Sequence, residues 1–278
     1  MQQSRHHQKK NKSIVNAILR RISEEARINW PNEGTRLSYP EWIIELLIRD
    51  LGKKNAFEML EKMNEAPSVS VRDDGYRQDL ASQWITDIIG VSKQDLLLDM
   101  CSAPGGKATA LATQARKVVA CDINESRHKL MHENKTNLSL GNLTQVVSDG
   151  RSAPFSSHVF DHILVDAPCS GLGVLHRRAD SRWRIEEGDV KNLAKLQIDL
   201  LDSSVRLLKD GGVLSYSVCT VTNQETVDVV KSLENLHPNL IPEKLFHERW
   251  RKIGNGLQIL PQDFGTDGMS MFQWKLAN

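Results

Sequence analysis

Short apolar runs alternate with helix-forming segments from Leu96 onward, and this alternation constrains the fold more than any other feature of the chain. Buried strands that alternate with helices are typical of a mostly parallel sheet covered by helices on both faces. The candidate strands lie at residues 96–100, 117–121, 143–148, 161–166, 213–218, 256–260 and 269–276. The sequence therefore predicts an α/β fold, in which ligands bind at the carboxyl ends of the strands.

The first 66 residues follow a helical period instead. One helix is predicted by five apolar residues at helical spacing, which are Ile14, Val15, Ile18, Leu19 and Ile22. Pro40 favours the start of a second helix that ends at Gly52, and a third is predicted over residues 55–65. We predict a helical accessory region over residues 1–72 and a catalytic domain over residues 73–278.

Composition and cysteine spacing exclude several classes of protein. No stretch approaches the ~18 consecutive apolar residues of a membrane span, and the N-terminus lacks the apolar core of a secretory signal. The four cysteines form no C-x-x-C pair, which argues against a disulfide scaffold and a structural zinc site. We therefore expect a soluble, cytoplasmic protein that holds no metal and contacts no membrane.

The net charge is only +1, but basic residues are concentrated near the N-terminus. Residues 1–30 contain seven Lys and Arg residues against Glu24 and Glu25. Such a segment can contact the phosphates of a nucleic acid, or it can be an ordinary solvated helix face. The sequence leaves both interpretations open.

Polar and glycine residues follow the first three predicted strands. The turn after the first strand, residues 101–107, carries Gly105 and Gly106, which allow a close backbone approach to a ligand, although the dinucleotide pattern G-x-G-x-x-G is absent. Asp122 closes the second strand, where a carboxylate can bind both hydroxyls of a ribose or cap the next helix. Asp149 closes the third strand and can reach an adenine edge or serve as a turn residue.

Cysteines follow the fourth and fifth predicted strands. Asp166 ends the fourth strand and is followed by Cys169, while Cys219 comes directly after the fifth. Cys121 lies within an apolar strand and reads as a buried core residue. Two cysteines and an aspartate that converge beside a nucleoside site indicate covalent chemistry.

In order and spacing, these motifs resemble the Fmu/Sun-type RNA cytosine-5 methyltransferases over about residues 75–278. The resemblance rests on GYRQDLAS (75–82), LLLDMCSAPGGKAT (96–109), VVACDINESR (118–127), DHILVDAPCSGLGVLHRR (161–178), LLKDGGVLSYSVCT (207–220) and LPQDFGTDGMSMFQW (260–274). The resemblance implies a Rossmann-like class I methyltransferase fold with S-adenosylmethionine as cofactor. It also implies an RNA substrate, with small-subunit ribosomal RNA as the first expectation.

The resemblance assigns roles to individual residues. The implied cofactor-binding residues are Cys101, Ser102, Ala103, Pro104, Gly105, Gly106, Lys107, Asp122, Arg127, Asp149 and Asp166. Within that set Asp122 holds the ribose and Asp149 the adenine edge. Cys219 is the implied nucleophile, Cys169 takes part in product release, and Asp166 acts at ring nitrogen 3 of the target cytosine. Lys107 is a candidate source of positive charge that favours the Cys219 thiolate.

A basic segment downstream of Cys169 is the predicted RNA contact. It contains four arginines and a tryptophan that can bind phosphates and stack on bases, namely Arg177, Arg178, Arg182, Trp183 and Arg184. The alternative is an exposed loop with Trp183 packed inward.

The sequence departs from the family pattern in ways that leave the substrate open. Val218 and Thr220 flank Cys219 where the family usually reads T-C-S, and the N-terminal accessory region is short. Transfer RNA is therefore an alternative substrate. Two further alternatives are a DNA cytosine-5 methyltransferase that uses the Cys169 of Pro168-Cys169, and a catalytically weak RNA-binding ribosome-assembly factor.

Overall fold

The computed structural model describes residues 2–24 and 29–277, and the side chains from residue 12 onward within those ranges. Glu25 and Arg27 lie outside the described residues, as do the side chains of Arg5, Lys9 and Lys10. The chain separates into two compact units, Met1–Ser38 and Tyr39–Asn278. No helix in the described ranges is long and apolar enough to cross a bilayer.

The predicted helices and strands occur in the predicted order, and the structure adds further elements. In chain order the helices are α1 (Gln2–Glu24), α2 (Glu33–Leu37), α3 (Glu41–Leu51), α4 (Lys53–Lys62), α5 (Leu80–Ile88), α6 (Gly106–Ala112), α7 (Glu125–Asn137), α8 (Glu187–Val205), α9 (Val227–Leu236) and α10 (Pro261–Phe264). The strands are β1 (Leu96–Asp99), β2 (Lys117–Asp122), β3 (Leu143–Val147), β4 (Phe160–Asp166), β5 (Leu208–Val218), β6 (Leu240–Pro242), β7 (Arg251–Ile253), β8 (Gly256–Ile259) and β9 (Met269–Leu276). The added elements are α2, α5, α10, β6 and β7.

One sheet joins these strands in the order β3-β2-β1-β4-β5-β9-β8-β7, with β6 also paired to β9. Strands β1 to β5 pair with one another in the parallel sense, which confirms the predicted mostly parallel sheet. The remaining strands pair in the antiparallel sense, and β9 lies between β5 and β8. The parallel register places Asp99 opposite Leu164 and Asp166 opposite Ser217, so the strand ends that carry the candidate site lie at one edge.

Two apolar layers cover the sheet, because successive strand residues face opposite sides. Leu98 belongs to the layer that contains Leu201 of α8 and Leu233 of α9. The adjacent Leu97 belongs to the opposite layer, with Ile85 of α5 and Leu111 of α6. Burial on both faces explains why the central strands read as continuous apolar runs rather than alternating ones.

The predicted boundary between residues 72 and 73 differs from the division in the structure, which falls after Ser38. Helices α3 and α4 belong to the same unit as the sheet. The carboxylate of Asp50 accepts a hydrogen bond from the backbone N–H of Asn223 at 2.8 Å, and Asn64 accepts one from Arg182 at 2.9 Å. These long-range bonds join residues 39–72 to the catalytic unit. In the other unit, the apolar residues predicted for the first helix lie on α1 and are about half exposed.

Candidate active site

The turn between β1 and α6 requires glycine at Gly105. Its backbone φ is +104°, and a Cβ there would lie 2.9 Å from Cγ of Met131. Ser102 anchors the turn, because both its backbone N–H and its hydroxyl donate to the carbonyl of Cys121, at 2.9 and 3.0 Å. The turn thus lies against the end of β2, with the start of α6 at its C-terminal side.

Asp122 holds this turn in place. Its two carboxylate oxygens accept the backbone N–H groups of Ala103 at 3.0 Å and Asn124 at 2.8 Å. Asn124, not Asp122, caps α7 by accepting the N–H of Arg127, so the helix-cap alternative applies to Asn124. Each oxygen of Asp122 keeps a lone pair that can accept a ribose hydroxyl.

Asp149 and Arg127 lie further out at the same edge. Arg151 donates to both oxygens of Asp149, with the shortest distance 2.6 Å, and this hydrogen bonding lowers the pKa of Asp149. An adenine that bound Asp149, as the sequence predicts, would therefore share its carboxylate with the guanidinium of Arg151. Arg127 is exposed in the first turn of α7. The geometry thus leaves Arg127 accessible at the rim.

Asp99, at the end of β1, is fully buried, and its carboxyl oxygens accept no hydrogen bond from a side chain in the described part of the chain. Burial raises its pKa well above the usual range, the negative charge of Asp166 adds to the effect, and the positive charge of Lys107 opposes it. A buried carboxyl group without side-chain hydrogen bonds is costly. A cationic group of a bound cofactor beside this strand end would add to the positive charge of Lys107, so the site fits the sulfonium and ammonium charges of S-adenosylmethionine.

Asp166 is held by two side chains from different elements. Lys107 Nζ lies 2.7 Å from Oδ2, and the Ser217 hydroxyl donates to Oδ1 at 2.6 Å. Burial lowers the pKa of Lys107, but the charge and hydrogen bond of Asp166, together with smaller contributions from Cys219 and Asp99, outweigh burial and raise it overall. Lys107 therefore remains an ammonium ion that is paired with Asp166.

The structure brings together the two cysteines that follow β4 and β5. Sγ of Cys169 lies 3.0 Å from Sγ of Cys219. The hydrogen bond with Cys219, together with burial, raises the pKa of the Cys169 thiol well above its usual range. Burial raises the pKa of Cys101 as well, and that of Cys121 to about 11. Cys101 and Cys121 are therefore neutral thiols near pH 7, and Cys121 is a fully buried core residue, as predicted.

Sequence reasoning missed a buried carboxylate behind the two cysteines. Glu225 is fully buried and accepts hydrogen bonds from the loops that follow both strands. The spacing Thr222-x-x-Glu225 is that of a capping box, which would have drawn attention to Glu225 as a helix cap. Instead its carboxylate faces other side chains, and only the three-dimensional structure reveals this.

An open pocket of about 490 Å³ lies next to Cys169. Its other lining residues come from the loop after β4 and from α8, and they include Ser181, Arg184, Ile185, Asn192 and Leu196. A pocket of this size is in the range that holds small ligands. It places Cys169 beside Arg184 of the predicted RNA-contacting segment.

The structure divides the predicted RNA-contacting segment into two groups. Arg182 is buried, with its guanidinium 3.9 Å from the centre of the Tyr39 ring, so the prediction that it contacts RNA needs correction. Arg177 pairs with Asp79 at 2.8 Å and Asp267 at 2.6 Å, so two carboxylates of the protein already neutralise its positive charge. The other three residues, Arg178, Trp183 and Arg184, are exposed. The alternative in which Trp183 packs inward does not hold, since Trp183 is 62% exposed.

A parallel sheet with a glycine turn after β1 and acidic residues at the ends of β1, β2 and β4 defines a class I S-adenosylmethionine-dependent methyltransferase. The family model described as 16S rRNA methyltransferase RsmB/F matches residues 87–276. The chain therefore belongs to the RsmB/F family of methyltransferases, and S-adenosylmethionine is its cofactor.

Individual relatives agree with this assignment. The chain is 36% identical over 202 residues to the Probable ribosomal RNA small subunit methyltransferase B of Bacillus subtilis, a match that covers 69% of this chain and 45% of that protein. The chain thus spans less than half of that relative.

Two solved structures from Pyrococcus horikoshii resemble the fold. NSun6 with SFG, an S-adenosylmethionine analogue, has a TM-score of 0.66 and 26% identity, over 73% of this chain and 53% of that chain. A methyltransferase homologue has a TM-score of 0.74 and 20% identity, over 87% of this chain and 97% of that chain. The second likeness concerns the fold alone.

Proposed function

We propose that this chain transfers a methyl group from S-adenosylmethionine to carbon 5 of a cytosine in RNA through a covalent adduct with Cys219. The observation that carries the proposal is the 3.0 Å approach of the Cys169 and Cys219 sulfurs at the strand ends that also carry Asp166. A thiol beside a methyl-donor site can activate a cytosine for methylation, because carbon 5 of cytosine is a poor nucleophile until a thiolate adds at carbon 6. The second thiol is available for a later step.

Cys219 is the proposed nucleophile. Lys107, which pairs with Asp166 at 2.7 Å, is the proposed source of the positive charge that favours the Cys219 thiolate, the form that attacks carbon 6. The addition makes carbon 5 nucleophilic, and the cofactor supplies an electrophilic methyl group. Cys169 is assigned a later role. The raised pKa of its thiol makes the corresponding thiolate a strong base, and that thiolate would accept the carbon 5 proton as the carbon 6–sulfur bond breaks and Cys219 leaves as a thiolate.

Asp166 is proposed to bind the target base at ring nitrogen 3. In the free protein both oxygens accept hydrogen bonds, so the side chain is arranged as a carboxylate. Donation to ring nitrogen 3 therefore requires Asp166 to gain a proton first, while Lys107 stays an ammonium ion 2.7 Å away. A protonated Asp166 would draw electron density from the ring as Cys219 adds.

The proposed substrate is small-subunit ribosomal RNA, because the family model and the B. subtilis relative are both named for that substrate. Arg184 lines the pocket beside Cys169, and the exposed Arg178 and Trp183 of the same segment supply further charge and an aromatic surface. A target base must leave its stack to reach the cysteines, which costs a few kcal/mol in a duplex and less in a loop.

The proposal is tested by incubating the chain with S-adenosylmethionine labelled in the methyl group and with separate pools of ribosomal RNA, transfer RNA and duplex DNA. We expect labelled 5-methylcytidine from ribosomal RNA after digestion to nucleosides. Label only in transfer RNA would show that transfer RNA, and not ribosomal RNA, is the substrate. Label in DNA would assign the role of nucleophile to Cys169. Cofactor binding without label in any pool would favour an assembly factor.

A further inference from the structure

We infer that Glu225 is a positioning residue, whose buried carboxylate fixes the two cysteine loops relative to each other. The expected effect of Glu225 on methyl transfer rests on the proposed function. Its effect on the positions of the two cysteine loops does not. Glu225 lies between β5 and α9 and touches neither cysteine sulfur by a hydrogen bond. It acts on them through the residues that follow each cysteine directly.

The carboxylate accepts five hydrogen bonds. On the Cys169 side, Ser170 donates its backbone N–H to Oε1 at 2.8 Å and its hydroxyl to Oε2 at 2.5 Å. On the Cys219 side, the Thr220 and Thr222 hydroxyls each donate to Oε2 at 3.1 Å. Gln197 of α8 donates to Oε1 at 3.1 Å and also to the carbonyl of Pro168 at 2.9 Å. A single side chain therefore joins the residues next to both cysteines.

The chemistry of this cluster calls for an acceptor with two oxygens. The backbone N–H of Ser170 and the side-chain NH₂ of Gln197 can only donate, and the Gln197 oxygen already accepts the Tyr216 hydroxyl at 2.9 Å. In the described part of the chain no basic side chain pairs with Glu225, so its charge is stabilised by neutral donors alone. A buried charge without a cation is costly unless fully hydrogen-bonded. This costly carboxylate lies between the two cysteine loops, which also contact each other directly through the Ser170 and Thr220 hydroxyls at 3.1 Å and through the Gly173 N–H, which donates to the Cys219 carbonyl at 3.1 Å.

The geometry explains how Glu225 would affect the reaction. Cys169 and Cys219 lie on loops that are 50 residues apart in sequence, and their sulfurs must act in succession on one base. Small displacements of either loop would misalign a sulfur with carbon 6 or with the carbon 5 proton. A misplacement of about 1 Å can cost roughly 100-fold in rate.

The test compares Glu225→Met, Glu225→Gln and a matched control, Glu234→Met. Glu234 also accepts two side-chain hydrogen bonds, from Trp274 at 2.9 Å and Asn255 at 2.6 Å, but it lies on α9 away from the cysteine loops. Three quantities are measured: kcat with RNA, the dissociation constant for S-adenosylmethionine, and the rates at which iodoacetamide alkylates Cys169 and Cys219 in the RNA-free protein.

We expect Glu225→Met to lower kcat roughly 100-fold while cofactor affinity stays within about twofold of the parent. Iodoacetamide should alkylate both cysteines about tenfold faster, because the loops that enclose them loosen. Glu225→Gln should recover most of the activity, since its amide oxygen can still accept from Ser170 N–H while the hydroxyl groups rotate to accept from its NH₂ group. Glu234→Met should change the melting temperature without changing kcat or either alkylation rate.

The inference is wrong if Glu225→Met leaves kcat and both alkylation rates at the parent values, or if Glu234→Met changes them equally. If Glu225→Met does not fold, Ser170→Ala and Thr220→Val each remove one partner of Glu225 and test the same connection. They should raise alkylation of the adjacent cysteine first, and parent rates in both would overturn the inference. Because alkylation needs no RNA, a failure of the proposed function is distinguished from a failure of this inference.

Discussion

The candidate site has two halves that differ in how their polar groups are held. The loops after β1 and β2 form what we term the cofactor half, and the loops after β4 and β5 form what we term the cysteine half. In the cofactor half, Asp122 accepts two backbone N–H groups, from Ala103 and Asn124, and lies within a few residues of one of them. In the cysteine half, Glu225 accepts four side-chain donors and one backbone donor drawn from three elements. The carboxylate of the cofactor half is therefore bound by backbone N–H groups, whereas that of the cysteine half is bound mainly by side chains.

This difference follows from what each half must bind. A cofactor that is the same in every turnover can be bound by backbone groups whose positions a glycine turn determines. Two sulfurs that act in succession on one base need a fixed separation between loops that are distant in sequence. Side-chain hydrogen bonds supply that fixed separation, but each one depends on the identity of a single residue. We therefore expect the cysteine half to tolerate fewer substitutions than the cofactor half.

The largest expected effect is that of Cys219→Ala. Methyl transfer should fall by about 1000-fold or more, because removal of a nucleophile eliminates the covalent route. The dissociation constant for S-adenosylmethionine, measured by calorimetry, should stay near the parent value because the cofactor half is untouched. Substantial residual turnover would show that Cys219 is not the nucleophile.

Cys169→Ala should also stop turnover, but by a different route. Addition of Cys219 and methyl transfer should still occur, while loss of the release step leaves methylated RNA attached to the protein. The measurement is denaturing electrophoresis with labelled RNA, in which a covalent complex should persist. The double variant with Cys219→Ala is the control and should show none, and a Cys169→Ala protein without adduct would contradict the release role.

The comparison between the two halves also explains which parts of the site could be predicted from the sequence. Cofactor-half residues such as Gly105 and Asp122 lie at fixed positions after a strand, so a reader of the chain can identify them from local order. Cys169 and Cys219 could be identified from their strand ends, although their 3.0 Å separation could not. The role of Glu225 could not be identified, because the local Thr222-x-x-Glu225 spacing indicates only a helix cap, and its partners Ser170 and Gln197 are distant in sequence.

The same reasoning applies to the fold. Strands β1 to β5 were predictable because burial on both faces leaves continuous apolar runs. The insertion of β9 between β5 and β8 was not, because an antiparallel return depends on which edge is open and not on a local pattern. The boundary after Ser38 was missed because helical periodicity identifies α3 and α4 but does not identify what they pack against.

In the cofactor half, we expect Asp122→Asn to weaken binding of S-adenosylmethionine by roughly 10- to 100-fold, since hydrogen bonds to a charged group contribute about 1.5 to 3 kcal/mol. The substituted amide also turns a donor toward the N–H of Ala103 or Asn124. Calorimetric titration measures the affinity, and cysteine alkylation serves as the control. Alkylation rates should stay at the parent values, and faster alkylation would show that the two halves are coupled.

The smallest expected effects separate Arg182 from Arg184, which are two residues apart in the segment after Cys169. Arg182 is buried against Tyr39 and donates to Asn64, so Arg182→Ala should lower the free energy of unfolding by about 1 to 3 kcal/mol. Arg184 is 72% exposed and pairs only with the exposed Asp180 among the described residues. Arg184→Ala should therefore change the free energy of unfolding by less than about 0.5 kcal/mol.

The RNA-binding measurement should give the opposite order. Arg184→Ala should weaken RNA binding severalfold and reduce the slope of log affinity against log salt by about 1, as expected when one phosphate contact is lost. Arg182→Ala, assayed below its melting temperature, should leave that slope unchanged because a buried guanidinium meets no phosphate. If both variants reduced the slope equally, the loop would have to open on binding RNA, and the cysteine half would be less rigid than its hydrogen bonds indicate.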